Sequence, residues 1–300
     1  MTFLKAARFF FTLSIILMIV SAILLVVPGP KLSIEFTGGT LMEVRLPDGK
    51  TKEDLAAALK DYVPVKDGKP LGNIAMSKTK SGDMFMRMRD VSNAEHIAMN
   101  QYLQKKFGSV KELQFTTIGP TVGASLKQRA VWALLIASGA IIVYLTFAFR
   151  KVPRKLSPWK FGVIAVVTLL HDLLITTGIF IVIGRYTSFE VDTLFITALL
   201  TILGYSVNDT IIIFDRIRDN VINEARKEDF PMVAEMSLQQ SAMRSCITSF
   251  CTLIMLSSLF LLGAESIRWF VLTLIIGIIL GTYSSIFLAT PLLVYWRKKS

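Results

Sequence analysis

Residues 194–214 read LFITALLTILGYSVNDTIIIF, a stretch apolar enough to cross a membrane that nevertheless carries Asn208 and Asp209. The charged residues that follow it directly are Asp215, Arg216 and Arg218. A carboxylate inside a membrane span costs about 2.5 to 3.5 kcal/mol on insertion scales, so it is tolerated where it faces a bundle interior or a water path. The stretch therefore predicts a membrane-spanning helix with a functional polar pair inside it.

The composition indicates a membrane protein throughout. Hydrophobic residues make up 53% of the chain and its mean hydropathy is +0.56, whereas soluble domains contain about 45 to 50% apolar residues. A helix needs about 20 apolar residues to cross a hydrocarbon core of about 30 Å. The segments that meet this length are residues 9–27, 130–149, 161–183, 194–214, 245–262 and 269–295. The sequence therefore predicts an α-helical polytopic membrane protein with six transmembrane helices.

The first of these segments also has features of a secretory signal peptide, because Lys5 and Arg8 precede an apolar run. A signal core is usually about 7 to 15 residues long and ends at a small-residue cleavage site. This run continues to Val27 and leaves through Pro28-Gly29-Pro30. We therefore predict a retained membrane anchor, with residues 1–28 forming a cytoplasmic N-terminus and the first span.

Lysine and arginine are unevenly distributed among the loops. They are concentrated at 150–160, at 215–244 and in the C-terminal tail, while the alternate short loops hold only Arg185 and Arg268. The positive-inside rule then predicts that both termini are cytoplasmic and that residues 29–129 are extracytoplasmic. The net charge of +11 is explained by this orientation, and no interleaved basic and aromatic pattern indicates nucleic acid.

The residue types that hold metals, form disulfides or perform catalysis are sparse. The two cysteines, Cys246 and Cys251, are five positions apart, and the two histidines are widely separated. This arrangement predicts neither a disulfide framework nor a metal site. The sequence also lacks a glycine-rich phosphate loop, a nucleophile elbow and paired carboxylates at a plausible spacing, so we expect no cofactor and no enzymatic activity.

Residues 29–129 are soluble in character and predict one small domain between the first two spans. Predicted strands cover 32–36, 41–46, 74–79, 84–89 and 110–118, with helices over 51–62 and 92–107. Thr51 is a predicted helix cap, and Gly108 a predicted helix stop. Because Gly38-Gly39 only interrupts the first strand, the order is β-α-β-β-α-β, which is typical of the ferredoxin-like α+β arrangement.

The ionisable residues inside the spans allow two interpretations. Asp209 and Arg216 are seven positions apart and share a helix face, and Asp172 lies beside His171 near the middle of the third span. A carboxyl group removed from water can exchange a proton near neutral pH, which favours a proton path through Asp209. Alternatively, these residues tie spans together by hydrogen bonds or ion pairs, and for Asp172 this second interpretation is at least as strong.

Residues 215–244 are too long for a tight turn and have charged residues on one face and apolar residues on the other. We therefore predict a cytoplasmic helix along the membrane surface. Asp215, Arg216 and Arg218 form a helix-end motif at its start, and Arg244 opens the fifth span. Simple solvation of a helix end and anchoring at the cytoplasmic side also account for these charges.

The segment GYSVNDTIIIFDRIRDN at 204–220 resembles the fourth-span signature of the SecD/SecF family of Sec translocase subunits, and in particular its SecF branch. The likeness extends over the chain, through FTGGT at 36–40, IGPTVG at 118–123, HDLLI at 171–175 and RSCITS at 244–249. The family usually has Thr-Thr-Leu after Thr-Ser in the fifth span, whereas this chain has Phe250-Cys251-Thr252-Leu253. This difference affects packing more than chemistry.

The resemblance implies one half of an RND-like assembly in the bacterial cytoplasmic (inner) membrane, with SecD as an obligate partner that supplies six more spans. It implies use of the proton-motive force to assist export of preproteins through the SecYEG channel after the SecA-driven step, with YajC and YidC as candidate further partners and membrane lipid around the spans. By resemblance, Asp209 and Arg244 match residues of proton passage that face a SecD carboxylate. We add Asn208 and Asp172 to this candidate pathway.

Three alternatives stay open. The chain is also compatible with an RND-like exporter half for a lipid or small molecule, which would need an aromatic-lined pocket in the domain between the first two spans. It is compatible with a scaffold that only stabilises SecD, in which case Asp209 is dispensable. The glycines of the segments 36–40 and 118–123, which are Gly38, Gly39, Gly119 and Gly123, either permit tight turns or contact the translocating chain directly.

Overall fold

The computed structural model describes residues 2–60, 62, 71, 74–78, 82–151, 158–224 and 229–298. Internal contacts divide the chain into two units. The helical unit consists of Met1–Lys31 and Trp132–Ser300, and the inserted domain is Leu32–Val131.

In chain order, the helices are α1 (Thr2–Val26), α2 (Ile34–Thr37), α3 (Lys52–Lys60), α4 (Asn93–Phe107), α5 (Pro120–Ala148), α6 (Pro158–Tyr186), α7 (Thr193–Glu224), α8 (Phe230–Leu262), α9 (Arg268–Ser284) and α10 (Thr290–Lys298). The strands are β1 (Gly39–Arg45), β2 (Ala75–Lys78), β3 (Met84–Met88) and β4 (Lys111–Ile118). Short 3-10 turns cover Phe149–Lys151 and Glu265–Ile267, and one π-helical turn, Ser285–Ala289, joins α9 to α10.

Six helical segments are long and apolar enough to cross a membrane, which confirms the predicted membrane fold. They are Ala6–Val26, Pro120–Ala148, Trp159–Tyr186, Thr193–Ile222, Phe230–Leu262 and Glu265–Trp296. In the third, fourth and sixth segments, 50 to 56% of the most apolar stretch is buried within the chain, against 6 to 11% in the other three. The helices α6, α7 and α9 therefore form the inside of the helical unit, while α1, α5 and α8 keep most of their apolar surface exposed.

Close helix contacts occur at small residues. A Cβ atom on Gly277 of α9 would lie 2.2 Å from Cδ1 of Ile202 on α7, and one on Gly281 would lie 3.0 Å from Cβ of Ser206. These two glycines form the GxxxG spacing that permits close helix packing. The central helices α7 and α9 therefore approach each other through the very positions where larger side chains would separate them.

The prediction of a separate surface helix over residues 215–244 is wrong for the described residues. The helix α7 continues from the membrane span to Glu224, and α8 already begins at Phe230. Apolar residues of both extensions are buried in one cluster with the rings of Phe149, Phe161 and Phe214; those of the extensions include Ile217, Val221, Val233 and Leu238. These apolar residues therefore pack helix against helix.

The inserted domain has a four-stranded antiparallel sheet in the order β2-β3-β1-β4. With α3 between β1 and β2 and α4 between β3 and β4, this confirms the predicted ferredoxin-like arrangement. Alternate residues of the central strands, Met42 and Val44 in β1 and Met84, Met86 and Met88 in β3, are buried in one cluster with Leu55 of α3 and Leu103 of α4. Both helices therefore cover the same face of the sheet.

Local signals set the ends of the helices in this domain. Ser92 and Glu95 form a capping box at the start of α4, and Gly108 ends it with a positive φ of 81°. The predicted strand over 32–36 is wrong, because Ser33 accepts a hydrogen bond from the Glu35 amide and starts the short helix α2. Gly38 ends that helix, and the first strand begins only at Gly39. Residue 79, the last of the predicted strand over 74–79, lies outside the described residues.

Candidate functional site

The polar pair on α7 is divided between two environments. Asp209 is 5% exposed and faces the inside of the helical unit, whereas the neighbouring Asn208 is exposed. Successive residues on an α-helix point about 100° apart, which allows this division. Asp209 and Asn208 therefore belong to different surfaces of α7 within this chain.

Asp209 lies beside Ser245, the second residue of the Arg244-Ser245 pair on α8. Both residues are buried, yet neither the Oδ2 atom of Asp209 nor the hydroxyl of Ser245 reaches hydrogen-bond geometry with any described residue. Leaving a buried polar atom unpaired costs about 1 to 3 kcal/mol. The carboxyl of Asp209 therefore keeps the capacity to bind a proton or a further hydrogen-bond donor.

Arg244 lies on the exposed side of α8. It forms no ion pair with any described residue, and so the chain by itself does not pair it with Asp209. Arg216, seven positions after Asp209, is also exposed and donates a hydrogen bond of 2.6 Å to Gln240. The positive charges near Asp209 are thus directed away from the interior that holds its carboxyl group.

An exposed polar stripe runs along α7, formed by Thr193, Thr197, Thr201, Gly204 and Asn208. Their spacing of three or four positions places them on one helix face. The hydroxyls of Thr197 and Thr201 donate to the carbonyl oxygens of Thr193 and Thr197, at 2.9 and 2.8 Å, so the helix itself satisfies them. Asn208 has no such partner among the described residues, and an unsatisfied amide in hydrocarbon is costly. The stripe therefore gives this apolar span an exposed polar face.

Asp172 of α6 is the centre of a fully buried hydrogen-bond hub. Its Oδ2 atom accepts bonds from Ser206 of α7 at 2.7 Å and Ser284 of α9 at 2.8 Å. Its Oδ1 atom lies 2.9 Å from Nδ1 of His171, while Nε2 of His171 has no partner among the described residues. Ser284 directly precedes the π-helical turn, a kind of bulge that is frequent at functional sites. Asp172 therefore joins the three inner helices.

A second set of polar contacts attaches α1 to this bundle. The hydroxyl of Tyr283 lies 2.7 Å from the hydroxyl of Ser14 on α1. At the start of α1, the buried carboxylate of Glu235 accepts hydrogen bonds from the amides of Phe3 and Leu4, at 2.9 and 3.0 Å. Glu235 thus caps a helix far away in sequence. Sequence reasoning missed it, although a lone acidic residue between Val233, Ala234 and Leu238 was a visible signal.

The predicted helix-end motif forms local contacts near the end of α7. Arg218 lies 2.8 Å from Asp215 and 3.0 Å from Asp219 in partly exposed ion pairs. Asn220 donates to Ser237 and Gln240 of α8, each at 2.9 Å. The Asn220 bonds join α7 to α8. The ion pairs lie within α7, and exposed pairs of this kind contribute only about 0 to 1 kcal/mol.

The described parts of the chain contain no cluster of metal-ligand side chains and no disulfide between the two cysteines. No group of three or more histidine, cysteine, aspartate or glutamate side chains there is arranged to hold a metal ion. Cys246 and Cys251 are both exposed and not joined in a disulfide.

Fold and site together define a class of protein: a six-span membrane protein with a ferredoxin-like domain inserted after the first span and buried carboxylates in its central helices. The family model described as "Protein export membrane protein SecD/SecF, C-terminal" matches residues 98–299. The model described as "SecD/SecF GG Motif" matches residues 23–46.

Two relatives with the same name show the family of this chain. The chain is 38% identical over 296 residues to protein translocase subunit SecF of Thermobaculum terrenum, covering 97% of this chain and 92% of that protein. It is 31% identical over 292 residues to protein translocase subunit SecF of Haemophilus influenzae, covering 96% and 83%. The chain therefore belongs to the SecF family of protein translocase subunits.

Solved structures agree in fold. A crystal structure of SecDF, a translocon-associated membrane protein from Thermus thermophilus, matches with a TM-score of 0.83 and 29% identity. SecDF in a super-membrane-facing form matches with a TM-score of 0.69. Each match covers 99% of this chain but only 39% of the solved SecDF chain.

Proposed function

We propose that this chain is the SecF subunit of a SecDF complex, which uses the proton-motive force to assist protein export through SecYEG after the SecA-driven step. The observation that carries the proposal is Asp209, a buried carboxyl with an unpartnered oxygen on a central helix. A carboxyl group held in this way can alternate between protonated and ionised forms when a path to water opens. In this proposal Asp209 exchanges the proton and Arg244 stabilises its ionised form.

We propose SecD as the partner that completes the site. Asn208 and Arg244 are exposed polar groups on α7 and α8, and lipid would leave both without hydrogen-bond partners. A second polytopic subunit packed on these helices would cover the α7 stripe and could bring a carboxylate towards Arg244. Copurification in mild detergent should yield such a subunit, and recovery of an active monomer alone would contradict the proposal.

We further propose that the termini and the α7–α8 connection are cytoplasmic and that the inserted domain is extracytoplasmic. The basic residues at 150–160, 215–244 and the tail support this orientation. Single cysteines at the exposed positions Lys105 and Gln239, in a background without Cys246 and Cys251, can be probed with an impermeant thiol reagent. Intact spheroplasts should be labelled at position 105 only, and labelling only at position 239 would reverse the assignment.

The energy available from one proton sets a condition on the cycle. Moving one charge through 100 mV releases about 2.3 kcal/mol, whereas shifting a two-state population from 1:99 to 99:1 requires about 5.5 kcal/mol. One proton at modest potential therefore only biases the complex between two states. The proposal requires either more than one proton per cycle or two states of similar energy.

The variant Asp209→Asn tests the proposal because it preserves side-chain size and removes the titratable group. Inverted membrane vesicles containing the variant complex should lose the part of preprotein translocation that an uncoupler abolishes, while the ATP-driven part remains. The matched control is Asp215→Asn, which neutralises a partly exposed carboxylate six residues later on the same helix and should leave both parts unchanged.

The same experiment separates proton coupling from a scaffold role. If Asp209→Asn vesicles translocate at the wild-type rate and still respond to the uncoupler, Asp209 has no proton role and the result supports the scaffold function. In the described part of the domain, the surface groove lined by residues such as Arg45, Asp48, Gln104 and Lys111 contains no aromatic side chain, so this groove does not support the exporter alternative.

A further inference from the structure

Three glycines lie in close backbone contacts where the chain enters and leaves the inserted domain. A Cβ atom on Gly38 would lie 2.8 Å from Cα of Pro120, the first residue of α5. A Cβ atom on Gly123, one turn further along α5, would lie 2.8 Å from the amide nitrogen of Gly38. A Cβ atom on Gly39 would lie 2.7 Å from the carbonyl oxygen of Met88 at the end of β3. We call these close backbone approaches, of Gly38 and Gly123 between the domain entry and α5 and of Gly39 to β3, the glycine clasp.

The clasp is specific to these three positions. Gly38 and Gly39 also have positive φ angles of 72° and 125°, which favour glycine. Gly49 and Gly108 have positive φ angles too, but a Cβ atom on either would meet nothing within 4 Å. Gly119, next to Pro120, is also open. The backbone of Gly38 and Gly39 is thus in contact with α5 and β3, which favours a structural role over direct contact with a translocating chain.

The helix that the clasp holds is continuous with a membrane span. α5 runs without interruption from Pro120 to Ala148, about 43 Å at 1.5 Å per residue. In the helical unit, Leu134, Ala137 and Ile141 of α5 pack against a cluster that includes Leu203 and Val207 of α7. Val207 is two residues before Asp209. One continuous helix therefore extends from the neighbourhood of the candidate proton site to the first turn held by the clasp.

The other connection to the domain differs. α1 ends at Val26, and residues 27–33 contain no regular helix. Lys31 is tied within the helical unit, because its Nζ atom donates to the carbonyl oxygen of Gly184 at 2.5 Å and its own carbonyl oxygen accepts from the amide of Val191 at 2.7 Å. The α1 connection is therefore non-helical and anchored, and it is poorly suited to transmit a displacement.

We infer that α5 is the element that moves the inserted domain, and that the glycine clasp joins its first turn rigidly to the sheet. The inference rests on the proposed function for the source of movement at Asp209. A rearrangement around α7 displaces α5 through the apolar cluster that Leu203 and Val207 form with Val166 and Leu169 of α6, and the clasp transmits that displacement to β1 and β3. A coupling route needs a direct test of coupling, since spatial continuity alone does not establish it.

Two variants open the clasp from opposite sides, each with a matched control. Gly123→Ala adds one methyl group against the backbone of Gly38, and its control is Gly119→Ala, where space is open. Gly38→Ala places a methyl group against Pro120, and its control is Gly108→Ala, which imposes a comparable positive-φ strain in open space. All four are made in the full chain, copurified with its partner subunit.

Two readouts are measured on the same complexes. Spin labels at the exposed positions 105 on α4 and 127 on α5, in a background without Cys246 and Cys251, report the distance between helix and domain by pulsed electron paramagnetic resonance. Export is measured per amount of assembled complex. The clasp variants should broaden the distance distribution and reduce uncoupler-sensitive export by about 2- to 30-fold, the range of known coupling effects, while both controls match the wild type.

An unchanged distance distribution in both clasp variants would overturn the inference, as would a broadened distribution with wild-type export. Failure of both clasp variants to assemble, with both controls normal, would also contradict it, because the contact would then serve folding only. A failure of the proposed function looks different: the distances still respond to the clasp variants, but wild-type export already lacks an uncoupler-sensitive part and Asp209→Asn has no effect.

Discussion

Replacing Asp172 by alanine should loosen the three inner helices by an amount that the hydrogen-bond geometry predicts. The carboxylate accepts one bond from α7 and one from α9, at 2.7 and 2.8 Å. Hydrogen bonds between membrane helices contribute about 0.6 kcal/mol on average and up to about 1.7 kcal/mol. The two interhelical bonds together thus contribute about 1 to 3 kcal/mol, and losing the contact to His171 adds to this.

The two serines should not contribute equally. The single hydroxyl hydrogen of Ser284 is shared between Asp172 and the carbonyl oxygen of Gly281, 3.1 Å away in its own helix, so its bond to Asp172 is weaker than that of Ser206. Ser206 has no second described side-chain partner. We therefore expect Ser206→Ala to cost more than Ser284→Ala, by roughly 0.5 kcal/mol, and Asp172→Ala to cost more than either.

Denaturant titration of the purified complex in mixed micelles measures these free energies of unfolding. In a double-mutant cycle, Ser206→Ala should cost little once Asp172 is already alanine, so that the coupling energy is about 1 kcal/mol. Costs that add to within about 0.3 to 0.5 kcal/mol would show that the bond is not energetically significant and would refute the hub.

The variant Asp172→Asn decides between the two interpretations of this residue. The amide keeps hydrogen-bonding atoms toward Ser206 and Ser284 but cannot titrate. If Asp172 holds the helices together, uncoupler-sensitive export should survive the change. If that part of export is lost while unfolding stability is preserved, Asp172 belongs to the proton pathway, as its place beside His171 also allows.

Much of the fold could be predicted because the deciding signals are local. Span length depends only on a run of apolar residues, and all six spans were found from it. In the inserted domain, the Ser92 cap and the Gly108 stop bracket α4 as predicted. The strand order then follows from the β-α-β-β-α-β sequence of elements.

The errors come from features that depend on distant partners. The apolar face around Val221 and Val233 is equally compatible with a membrane surface and with a helix partner, and only the folded chain shows that the α7 and α8 extensions pack together. Residues 32–36 have strand-like composition, but a single cap from Ser33 was enough to start a helical turn. Glu235 was missed because its partners, the amides of Phe3 and Leu4, are more than two hundred positions away.

The prediction of the candidate proton site from sequence was incomplete for a different reason. Asp209 faces inward, whereas Asn208 and Arg244 face outward on α7 and α8. A sequence motif lists these residues side by side but contains no information on which surface each one occupies. If a partner subunit completes the site, as proposed, the three groups come together only in the complex, and the exposed polar stripe of α7 marks where that partner lies.

Glu235→Ala should detach the start of α1 and lower the free energy of unfolding by about 1 to 3 kcal/mol, because two partly buried amides lose their acceptor. Glu235→Gln, which retains one acceptor oxygen, should cost less, and equal costs in denaturant titration would contradict the cap. Asn208→Leu should weaken copurification of the partner subunit while leaving the fold intact, and unchanged recovery would place the partner elsewhere. The Arg89 guanidinium, followed by the backbone and side chain of Ser92, lowers the pKa of Glu95 from 4.5 to about 2. Because the folded-state pKa is depressed, this stabilisation is complete above about pH 4.5 and is lost as the pH falls towards 2. At about 1.4 kcal/mol per pKa unit the full shift corresponds to about 3 kcal/mol, and partial exposure of the ion pair reduces it to about 1 to 2 kcal/mol. The free energy of unfolding of the isolated domain, residues 32–119, should therefore lose this pH dependence in Glu95→Gln but keep it in the exposed control Glu53→Gln. Identical pH profiles for the two variants would show that the Arg89–Glu95 pair does not stabilise the domain.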